Sequence, residues 1–549
     1  MRGALAAVLV FALLAACHRG SEAPGAHVKP KLVVLIVIDQ WPSWVFEKQQ
    51  KLFTGGIGRL LREGAIAMNA ELPYAATFTA SGHASLGTGT TPSVTGIVGN
   101  TWWRRGDEKD RPAEWDPDAP MWSVGPPLGD EKQDDGASAK ALRVDGIADV
   151  LRHATSGTAH SIAISLKARS ACLMAGRHPD LAVWFDAAAG GMTTSKAYAP
   201  DAAPAWLARL AKEQPASRYF QSTWDPLDPA LLARATQIAD DAPGEKSDHG
   251  LGTAFPHSLT AARSPAHAII ATPFADELVG QAVAMAVDEM QLGRDTAPDL
   301  LAISFGAHDY AGHDWGPDSW EVLDLTLRLD RQLGQLFDLL DARVGENEWA
   351  VILTSDHGAT PVVERGRLRS ARRITPQEIE KAADAAVAAQ LGAPGPWVAR
   401  LSSSNLYFTP KLRELPADQR DRALDAAMKA VAAVPGIAFA GRTDRFSPGC
   451  TAEHDTLRAI CLGTVPGDAG ELYAYPAAGS GITTIMGGTT HDAPFDDNRR
   501  VPILVKAPGV AHQLGDGSQL QIAPTLAALL GIDPPAQAHE PPLFGIKRR

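Results

Sequence analysis

KLVVLIVID, residues 31–39, contains an unbroken run of apolar residues, 32–38, that leads directly into a carboxylate. Apolar side chains stand at both odd and even positions, so a strand formed here would bury both of its faces. Such strands are typical of parallel sheets that are covered by helices on both sides. The run therefore predicts a central strand of an α/β fold, with Asp39 at its carboxyl end.

The same pattern recurs along the chain, with predicted helices between the apolar runs. Further strands are predicted at residues 160–166, 300–305, 349–354 and 501–506. Helical spacing of apolar residues occurs at 56–64, 275–290, 320–340, 376–391 and 521–530. This alternation predicts a three-layer α/β sandwich with a mainly parallel central sheet, in which ligands bind beyond the carboxyl ends of the strands.

Three segments lack this alternation and are interpreted as inserted cap segments on a single α/β catalytic domain that spans residues 31–549. They cover residues 101–140, 187–265 and 395–480. The third contains Cys450 and Cys461, which are close enough in sequence for a disulfide to close a short loop. Cys172 follows small and apolar residues and is predicted to be a buried thiol.

The first 17 residues have the pattern of an export signal. Arg2 gives a positive start, and the apolar run at 4–16 is too short for a stable membrane anchor. LAAC, ending at Cys17, resembles a bacterial lipobox, in which the cysteine carries lipid; the alternative is an ordinary cleaved signal. Either way we expect export, as a periplasmic or outer-membrane-attached protein, with residues 18–30 as a polar tether and Cys17 as the only membrane attachment.

The composition is that of a globular protein, and its charge restricts the partners. The chain has 549 residues, of which 45% are hydrophobic, and a formal net charge of −12. This charge argues against a nucleic acid polymer as the main partner, whereas a small anion can still bind where a metal or basic residues reverse the local field. A monomer is the simplest expectation.

Residues 73–100 are rich in hydroxyl groups and glycine and contain no charged residue. A short helical turn is predicted at 80–86, with Thr79 at its N-terminal end. Free N–H groups and the helix dipole favour an anion at that position. Thr79 is therefore a candidate nucleophile, provided that a neighbouring group lowers the pKa of its hydroxyl.

Acidic and histidine side chains follow several of the predicted strands. The first strand ends in a carboxylate, two others lead into an acid and a histidine, and one further histidine lies in the glycine-rich loop 487–492. Mixed carboxylate and imidazole ligands suit Zn²⁺ better than Mg²⁺. The candidate ligands are Asp39, Asp309, His313, Asp356, His357 and His491.

Three motifs together resemble those of the alkaline phosphatase superfamily. TASGHAS begins at Thr79, DYAGH at Asp309 and SDHG at Ser355. The resemblance runs from about Leu32 to about Pro534 and is strongest to the nucleotide pyrophosphatase/phosphodiesterase-like branch. Within this branch, the chain looks similar to the phosphate-irrepressible periplasmic alkaline phosphatases, which act on phosphomonoesters.

The resemblance implies a site with two Zn²⁺ ions and a phospho-threonine intermediate on Thr79. One zinc would be held by Asp39, Thr79, Asp356 and His357. The other would be held by Asp309, His313 and His491. Zinc lowers the pKa of a bound hydroxyl, and paired metals stabilise both apical oxygens of an in-line displacement.

Lys167 and Arg169 indicate the substrate class. The family's monoesterases carry a Lys-x-Arg pair, and Asn100 matches their further donor to a phosphoryl oxygen. An extended backbone would put Lys167 and Arg169 on one face, where their charges suit a monoester dianion better than a diester monoanion. We therefore expect a broad phosphomonoesterase for nucleotides and sugar phosphates that scavenges phosphate.

Two alternatives remain open from the sequence: a phosphodiesterase or nucleotide pyrophosphatase of the same superfamily, and an inactive phosphoester-binding lipoprotein. Three residues close to the motifs are not assigned as ligands. His83 is predicted to be structural, and His308 falls outside the family's ligand pattern. Asp492 is either a hydrogen-bond partner of His491 or an exposed side chain.

Overall fold

The computed structural model describes residues 29–106, 108–128, 133, 135–366, 368–446, 450 and 455–548. The predicted signal at 1–17 and almost all of the tether at 18–30 lie outside these residues. In chain order, the strands are β1 (Leu32–Ile38), β2 (Ala65–Glu71), β3 (Thr101–Arg104), β4 (Lys109–Pro112), β5 (Ser161–Ser165), β6 (Leu181–Asp186), β7 (Gly191–Thr193), β8 (Thr223–Trp224), β9 (His257–Ser258), β10 (Asp299–Phe305), β11 (Trp349–Thr354), β12 (Arg373–Ile374), β13 (Val398–Ser402), β14 (Asn405–Phe408), β15 (Ile437–Arg442), β16 (Leu472–Pro476), β17 (Gly481–Ile482), β18 (Arg500–Lys506) and β19 (Gln513–Gly515).

The helices lie between these strands. In chain order they are α1 (Ser43–Gln49), α2 (Gly56–Glu63), α3 (Thr79–Thr88), α4 (Pro92–Thr95), α5 (Ile147–Ala154), α6 (Ala168–Leu173), α7 (Ala205–Glu213), α8 (Pro229–Thr236), α9 (Pro265–Ala268), α10 (Pro273–Glu289), α11 (Ala307–Trp315), α12 (Trp320–Arg343), α13 (Pro376–Leu391), α14 (Pro410–Arg413), α15 (Ala417–Ala432), α16 (Asp455–Leu462), α17 (Asp496–Arg499) and α18 (Ile522–Leu530).

A nine-stranded sheet forms the centre of the molecule, in the order β19-β2-β18-β11-β1-β10-β5-β6-β7. The four middle strands, β11, β1, β10 and β5, run parallel to one another. β1 lies among them, and none of its seven residues is exposed to solvent. The predicted fold class is confirmed, while β18 joins the sheet antiparallel to both of its neighbours.

Helices cover the sheet in two separate layers. α3, α5, α6 and α18 contact one another in one layer, with α6 on β5 and α18 on β1. α2, α10 and α12 form the other layer, with α10 on β5 and β10. This arrangement is the expected three-layer sandwich.

The three inserted segments pack in different ways. Trp102 from the first and Trp224 from the second are buried in the same core as the central sheet. The third segment has its own core, which begins at Ile374, ahead of the predicted boundary near residue 395. There, α13 and α15 cover the antiparallel sheet β13-β14-β16-β15. We call β13–β16 with α13 and α15 the small-sheet unit.

The described cysteines include one disulfide pair and one free thiol. Cys450 and Cys461, whose pairing the sequence left open, are joined by a disulfide. Cys172 is a buried free thiol, as predicted. Within the described ranges, no single helix has the length and apolar character needed to cross a membrane. Of the part of the chain that the structure describes, one pair of helical segments, 265–271 and 273–289, meets that test of length and composition when taken together across a bend of 84°.

Candidate active site

Polar side chains gather at the carboxyl ends of the four middle strands. Asp39 directly follows β1, and Asp356 follows β11 after one residue. Asp309 lies in the first turn of α11, three residues after the glycine that follows β10, and Lys167 follows β5 after one residue. Neighbouring parallel strands end at the same edge of a sheet, so these residues from distant parts of the chain meet in one place.

Thr79 is the first residue of α3, as the sequence predicts, and is 1% exposed. The next backbone N–H, that of Ala80, donates to Asn100 Oδ1 at 2.8 Å. Gly82 lets α3 approach the Asp356 loop closely, because a Cβ at this position would lie 2.5 Å from the Asp356 carbonyl oxygen. Thr79 and Asn100 therefore meet at the N-terminal end of a helix packed directly against a candidate metal ligand.

Each of the three candidate histidine ligands is oriented by a backbone carbonyl. In every case Nδ1 donates to the carbonyl oxygen, which leaves the lone pair of Nε2 for a metal. The pairs are His313 with Thr489 at 2.9 Å, His357 with Gly358 at 2.9 Å, and His491 with Thr77 at 2.6 Å. The tautomers are therefore those that metal binding through Nε2 requires.

The ligand atoms form two overlapping groups. Asp309, His313 and His491 offer atoms that lie within 4.8 Å of one another, and Asp39, Asp309 and His357 do the same. Asp356 lies beside the second group, with its Oδ2 3.4 Å from His357 Nε2. The six residues selected from the sequence thus come together, and Asp309 is close to both groups.

Several of these buried atoms have no hydrogen-bond partner among the residues that the structure describes. They are Asp39 Oδ1, Thr79 Oγ1, Asp356 Oδ2 and His357 Nε2. Buried polar atoms are normally paired, because leaving water without a new partner is costly. A cation bound between these oxygens and the nitrogen would satisfy them, so the residues present fit a metal.

The pKa shifts of the candidate ligands bear on whether they can bind a metal ion. Burial, and then the neighbouring charge of Asp356, raises the pKa of Asp39 well above its usual value. Burial also lowers the pKa of His357 and lowers that of His491 well below its usual value, so both rings are neutral near pH 7. Burial opposes the charge of His313, but the carboxylate of Asp309 outweighs this effect and raises its pKa. The neutral imidazoles of His357 and His491, set among carboxylates, are donors that suit a divalent cation.

Lys167 is buried among these carboxylates. Its Nζ lies 2.7 Å from Asp39 Oδ2 and 2.5 Å from Asp309 Oδ2, and 4.8 Å from the centre of the Tyr310 ring. Burial opposes its charge, but Asp309 and Asp39 outweigh this effect and raise the pKa of Lys167. The side chain is therefore a fixed positive charge at the site.

The expected extended backbone from Lys167 to Arg169 is wrong. Lys167 is extended, but α6 begins at Ala168, so Arg169 lies in the first turn of a helix. Arg169 is half-buried, and burial opposes its charge, yet neighbouring groups that include Asp39 and Asp309 raise its pKa. The charges of Asp39 and Asp309 therefore raise the pKa of both basic side chains, although the backbone between the two residues begins a helix instead of continuing a strand.

The residues left unassigned from the sequence have defined contacts. His83 Nδ1 bonds the Thr79 carbonyl oxygen at 2.8 Å and lies 3.2 Å from Asp356 Oδ2. These contacts link α3 to the Asp356 loop, which agrees with the structural role predicted for His83. His308 contacts the carbonyl oxygen of Asp39 at 3.1 Å. Asp492 is half-buried and accepts from Thr490 at 2.6 Å. The ring of His491 is instead oriented by Thr77.

Sequence reasoning missed Gln40. It directly follows Asp39, is fully buried and contacts Asp309 and Asp356. No motif distinguishes a glutamine at this position, so only the three-dimensional arrangement identifies it.

A class of hydrolases that act on phosphate esters is consistent with this fold and site, and comparison with known proteins agrees. The family model for type I phosphodiesterase / nucleotide pyrophosphatase matches residues 33–437. The chain belongs to this family, and the resemblance noted from its motifs is confirmed.

Relatives match almost the whole chain. Alkaline phosphatase PafA of Elizabethkingia meningoseptica is 29% identical over 539 residues, which are 95% of this chain and 96% of that protein. Alkaline phosphatase PhoV of Synechococcus elongatus is 28% identical over 527 residues, which are 93% and 92% of the two chains. A crystal structure of wild-type PafA covers 94% of this chain and 99% of its own, with a TM-score of 0.83 at 27% identity.

Proposed function

We propose that the protein is an exported, zinc-dependent phosphomonoesterase of the alkaline phosphatase type, with Thr79 as its nucleophile. One observation carries the proposal. The buried hydroxyl of Thr79 has no hydrogen-bond partner among the described residues and lies at the N-terminus of the helix that packs against Asp356, next to the clustered candidate ligands. The names of the relatives that match over nearly the full length support the same activity.

Two Zn²⁺ ions fit the charge of the site. Metal ligands bind in their ionised form. With Asp39, Asp309 and Asp356 all ionised, the three carboxylates outnumber Lys167 and Arg169, and these five groups carry one net negative charge. Two divalent cations would turn this into three positive charges, which a phosphate dianion and an ionised Thr79 would neutralise. When bound, the metals supply Lewis-acid stabilisation of oxygen anions and favour ionisation of a bound hydroxyl or water.

The predicted ligand sets assign the two metals as follows. Asp39, Thr79, Asp356 and His357 would hold one ion. Asp309, His313 and His491 would hold the other, and the oriented Nε2 atoms of the histidines suit zinc.

The reaction then follows from the position of Thr79. Its ionised oxygen attacks phosphorus, the Thr79 O–P bond forms, and the bond to the leaving oxygen breaks, so that this oxygen departs and takes up a proton from water. Water then attacks the phosphorus of the phospho-threonine and gives up a proton, the Thr79 O–P bond breaks, inorganic phosphate leaves, and the Thr79 oxygen is free again. Each displacement inverts phosphorus, so the overall result is retention. The start of α3 favours the negative charge that develops beside Thr79.

Lys167, Arg169 and Asn100 favour a monoester over a diester. Lys167 is a fixed charge, and Arg169 can bind two phosphoryl oxygens in a fork. Asn100 uses Oδ1 to accept from Ala80, which leaves its NH₂ group to donate to a phosphoryl oxygen. A monoester dianion has one more negative charge than a diester and gains more from these donors. Nucleotides and sugar phosphates are the proposed substrates, with broad specificity.

Export through the signal at 1–17, with lipid on Cys17, is part of the same proposal. The disulfide between Cys450 and Cys461 supports an oxidising compartment, because such bonds rarely persist in the cytosol. Labelling the expressed protein with a radioactive fatty acid tests the anchor. Wild-type protein should incorporate the label and Cys17→Ser should not; an unlabelled wild-type protein would contradict it.

The function is tested by metal analysis and by rates on an aryl phosphate monoester and the matching diester. We expect about two zinc ions per chain and a much higher kcat/KM for the monoester. Lys167→Met should lower monoester turnover by roughly 10²-fold or more and diester turnover less, because a charged contact is lost.

Lys140→Met is the matched control. Lys140 bonds Asp116 and Asp118 away from the described site, so both rates should stay unchanged. A protein that prefers the diester would favour the phosphodiesterase alternative. A zinc-loaded protein that hydrolyses neither ester would favour the inactive phosphoester-binding alternative.

A further inference from the structure

Gln40 contacts both halves of the candidate metal site. Its backbone N–H donates to Asp356 Oδ1 at 3.1 Å, and its side-chain Nε2 donates to Asp309 Oδ1 at 2.6 Å. Asp356 belongs to the ligand set of one proposed metal, and Asp309 belongs to that of the other. A single buried residue at the end of β1 therefore joins the two sets.

The local backbone is adapted to these contacts. Gln40 has a φ of 62°, a left-handed conformation that residues with a side chain rarely adopt and that recurs at functional sites. With this backbone, the N–H and the side chain of one residue reach two different carboxylates. Gly312 in α11 makes room for the amide, because a Cβ there would lie 2.1 Å from Gln40 Oε1.

Asp309 is the residue whose orientation matters most, because its ligand atom lies close to both groups. Gln40 donates to Oδ1, and Lys167 donates to Oδ2. When a phosphoryl group is bound, Lys167 shares its protons with the substrate. Gln40 has no proposed contact with the substrate, so its neutral amide remains on Asp309 throughout the reaction.

We infer that Gln40 is a positioning residue that holds Asp309 relative to Asp356 and so sets the placement of the second metal against the first. The inference rests on the proposed function in its two-metal form. It gives Gln40 no contact with substrate and no part in proton transfer. Hydrogen bonds from neighbouring groups orient metal ligands, and their loss commonly weakens metal binding by about 10–100-fold.

The test is zinc binding to protein that has been freed of metal by chelation, measured by titration calorimetry. Wild-type protein should bind two ions. Gln40→Met has nearly the same shape but no side-chain donor, and its backbone N–H still serves Asp356. It should weaken the site of Asp309, His313 and His491 by roughly 10–100-fold and leave the other site nearly unchanged.

Two further variants sharpen the test. Gly312→Ala should weaken the same site, because the new methyl group displaces the Gln40 amide without altering that residue, and it provides a second route if Gln40→Met does not fold. Gln49→Met is the matched control: Gln49 is also a buried glutamine but lies in α1. It should bind both ions as the wild type does. In steady-state assays, Gln40→Met should lower kcat at limiting zinc and leave the KM for the monoester unchanged.

Each outcome has a distinct meaning. Gln40→Met with wild-type affinity at both sites would overturn the positioning role. Equal weakening of both sites, together with a lower unfolding temperature of the metal-free protein, would also overturn it, because the residue would then only support the fold. A wild-type protein that binds no zinc would overturn the proposed function itself, which separates the two failures.

Discussion

The candidate site and the small-sheet unit differ in how fully their charged side chains are paired. In the small-sheet unit, the Arg442 side chain is 3% exposed, and all three of its nitrogens bond the carboxylates of Asp421, Asp425 and Asp444. At the candidate site, no arginine or lysine among the described residues bonds Asp39 Oδ1 or Asp356 Oδ2, and their polar neighbours are histidine nitrogens at 3.2–3.5 Å. The first arrangement satisfies charge within the protein, and the second leaves it available for something the protein binds.

The two regions also have separate cores. The main core extends from β1 through the helices on both faces of the central sheet, whereas the small-sheet unit packs around α13 and α15. Because most buried apolar residues of the small-sheet unit belong to a separate cluster, with Tyr407 of β14 as an exception in the main core, we expect changes at the candidate site to affect turnover and changes in the small-sheet unit to affect stability. The following predictions test that division, beginning with the largest effect.

Replacing Thr79 by Ala should lower turnover of an aryl phosphate by on the order of 10⁴-fold or more, because the attacking oxygen is lost. Zinc content and the unfolding temperature should change little. Thr88→Ala is the matched control at the other end of α3, where the hydroxyl bonds the Ala84 carbonyl oxygen at 2.7 Å. It should cost about 1 kcal/mol of stability and leave turnover intact. Undiminished turnover in Thr79→Ala would refute the assignment of the nucleophile.

Asp276 is a buried carboxylate of the main core that is not among the candidate ligands, so we expect it to affect stability. It is 2% exposed, and among the described residues its carboxylate accepts a hydrogen bond only from the Ala307 backbone N–H, at 3.3 Å. Burial raises its pKa to about 7. Since the folded protein then holds this proton more tightly than the unfolded chain, its contribution to stability is present below about pH 4 and is lost as the pH rises to about 7. The loss amounts to at most about 4 kcal/mol.

Asp276→Asn resembles the protonated acid at every pH. It should therefore unfold at higher urea concentration than the wild type at pH 8 and at a similar concentration at pH 4, with zinc held constant. The free energy of unfolding, measured at both pH values, checks this. A difference between the two proteins that does not change with pH would show that Asp276 keeps its ordinary pKa.

Much of the candidate site could be predicted because its residues directly follow apolar runs. The run before Asp39 can bury both faces only inside a covered sheet, and parallel strands then bring their carboxyl ends together. The spacing of Asp309 and His313 fits one helical turn, and both lie in α11. The positions of these residues therefore follow from patterns within short stretches of sequence.

Other features depend on contacts between distant segments. The start of α6 at Ala168 was not visible in the sequence between Lys167 and Arg169, because packing on the sheet sets the backbone there. The left-handed Gln40 needs Gly312 from α11 to accommodate its amide. The helix at Pro376–Leu391 was correctly predicted, but its partner is the sheet β13–β16, which apolar spacing alone does not reveal.

The disulfide lies where the two regions meet. Cys461 is in α16, and in the same helix the Ala459 carbonyl oxygen accepts from the Ala75 N–H at 2.8 Å, shortly before Thr79. Replacing Cys450 and Cys461 by Ser should cost about 2–3 kcal/mol, the value for a short closed loop. Thermal unfolding checks this. Turnover at 25 °C should persist, and a reductant should lower the unfolding temperature of the wild type but not of the double variant.

Arg442→Met should have the smallest effect and provides the most direct test of the division between the regions. Its three carboxylate partners are substantially exposed, with side chains 36–57% accessible, so they regain water when the arginine is removed. We therefore expect a loss of about 1–2 kcal/mol rather than the larger cost of a fully buried pair.

The matched control is Arg445→Met, because Arg445 pairs with the same Asp425 at 2.7 Å but is 53% exposed. It should lose less than about 0.5 kcal/mol, as an exposed pair does. Neither variant should alter kcat or zinc content, since no described contact links Arg442 or Arg445 to the ligand residues. If Arg442→Met lowered kcat while the protein stayed folded, the small-sheet unit would be influencing the geometry of the site, and the two regions would have to be treated as one functional body.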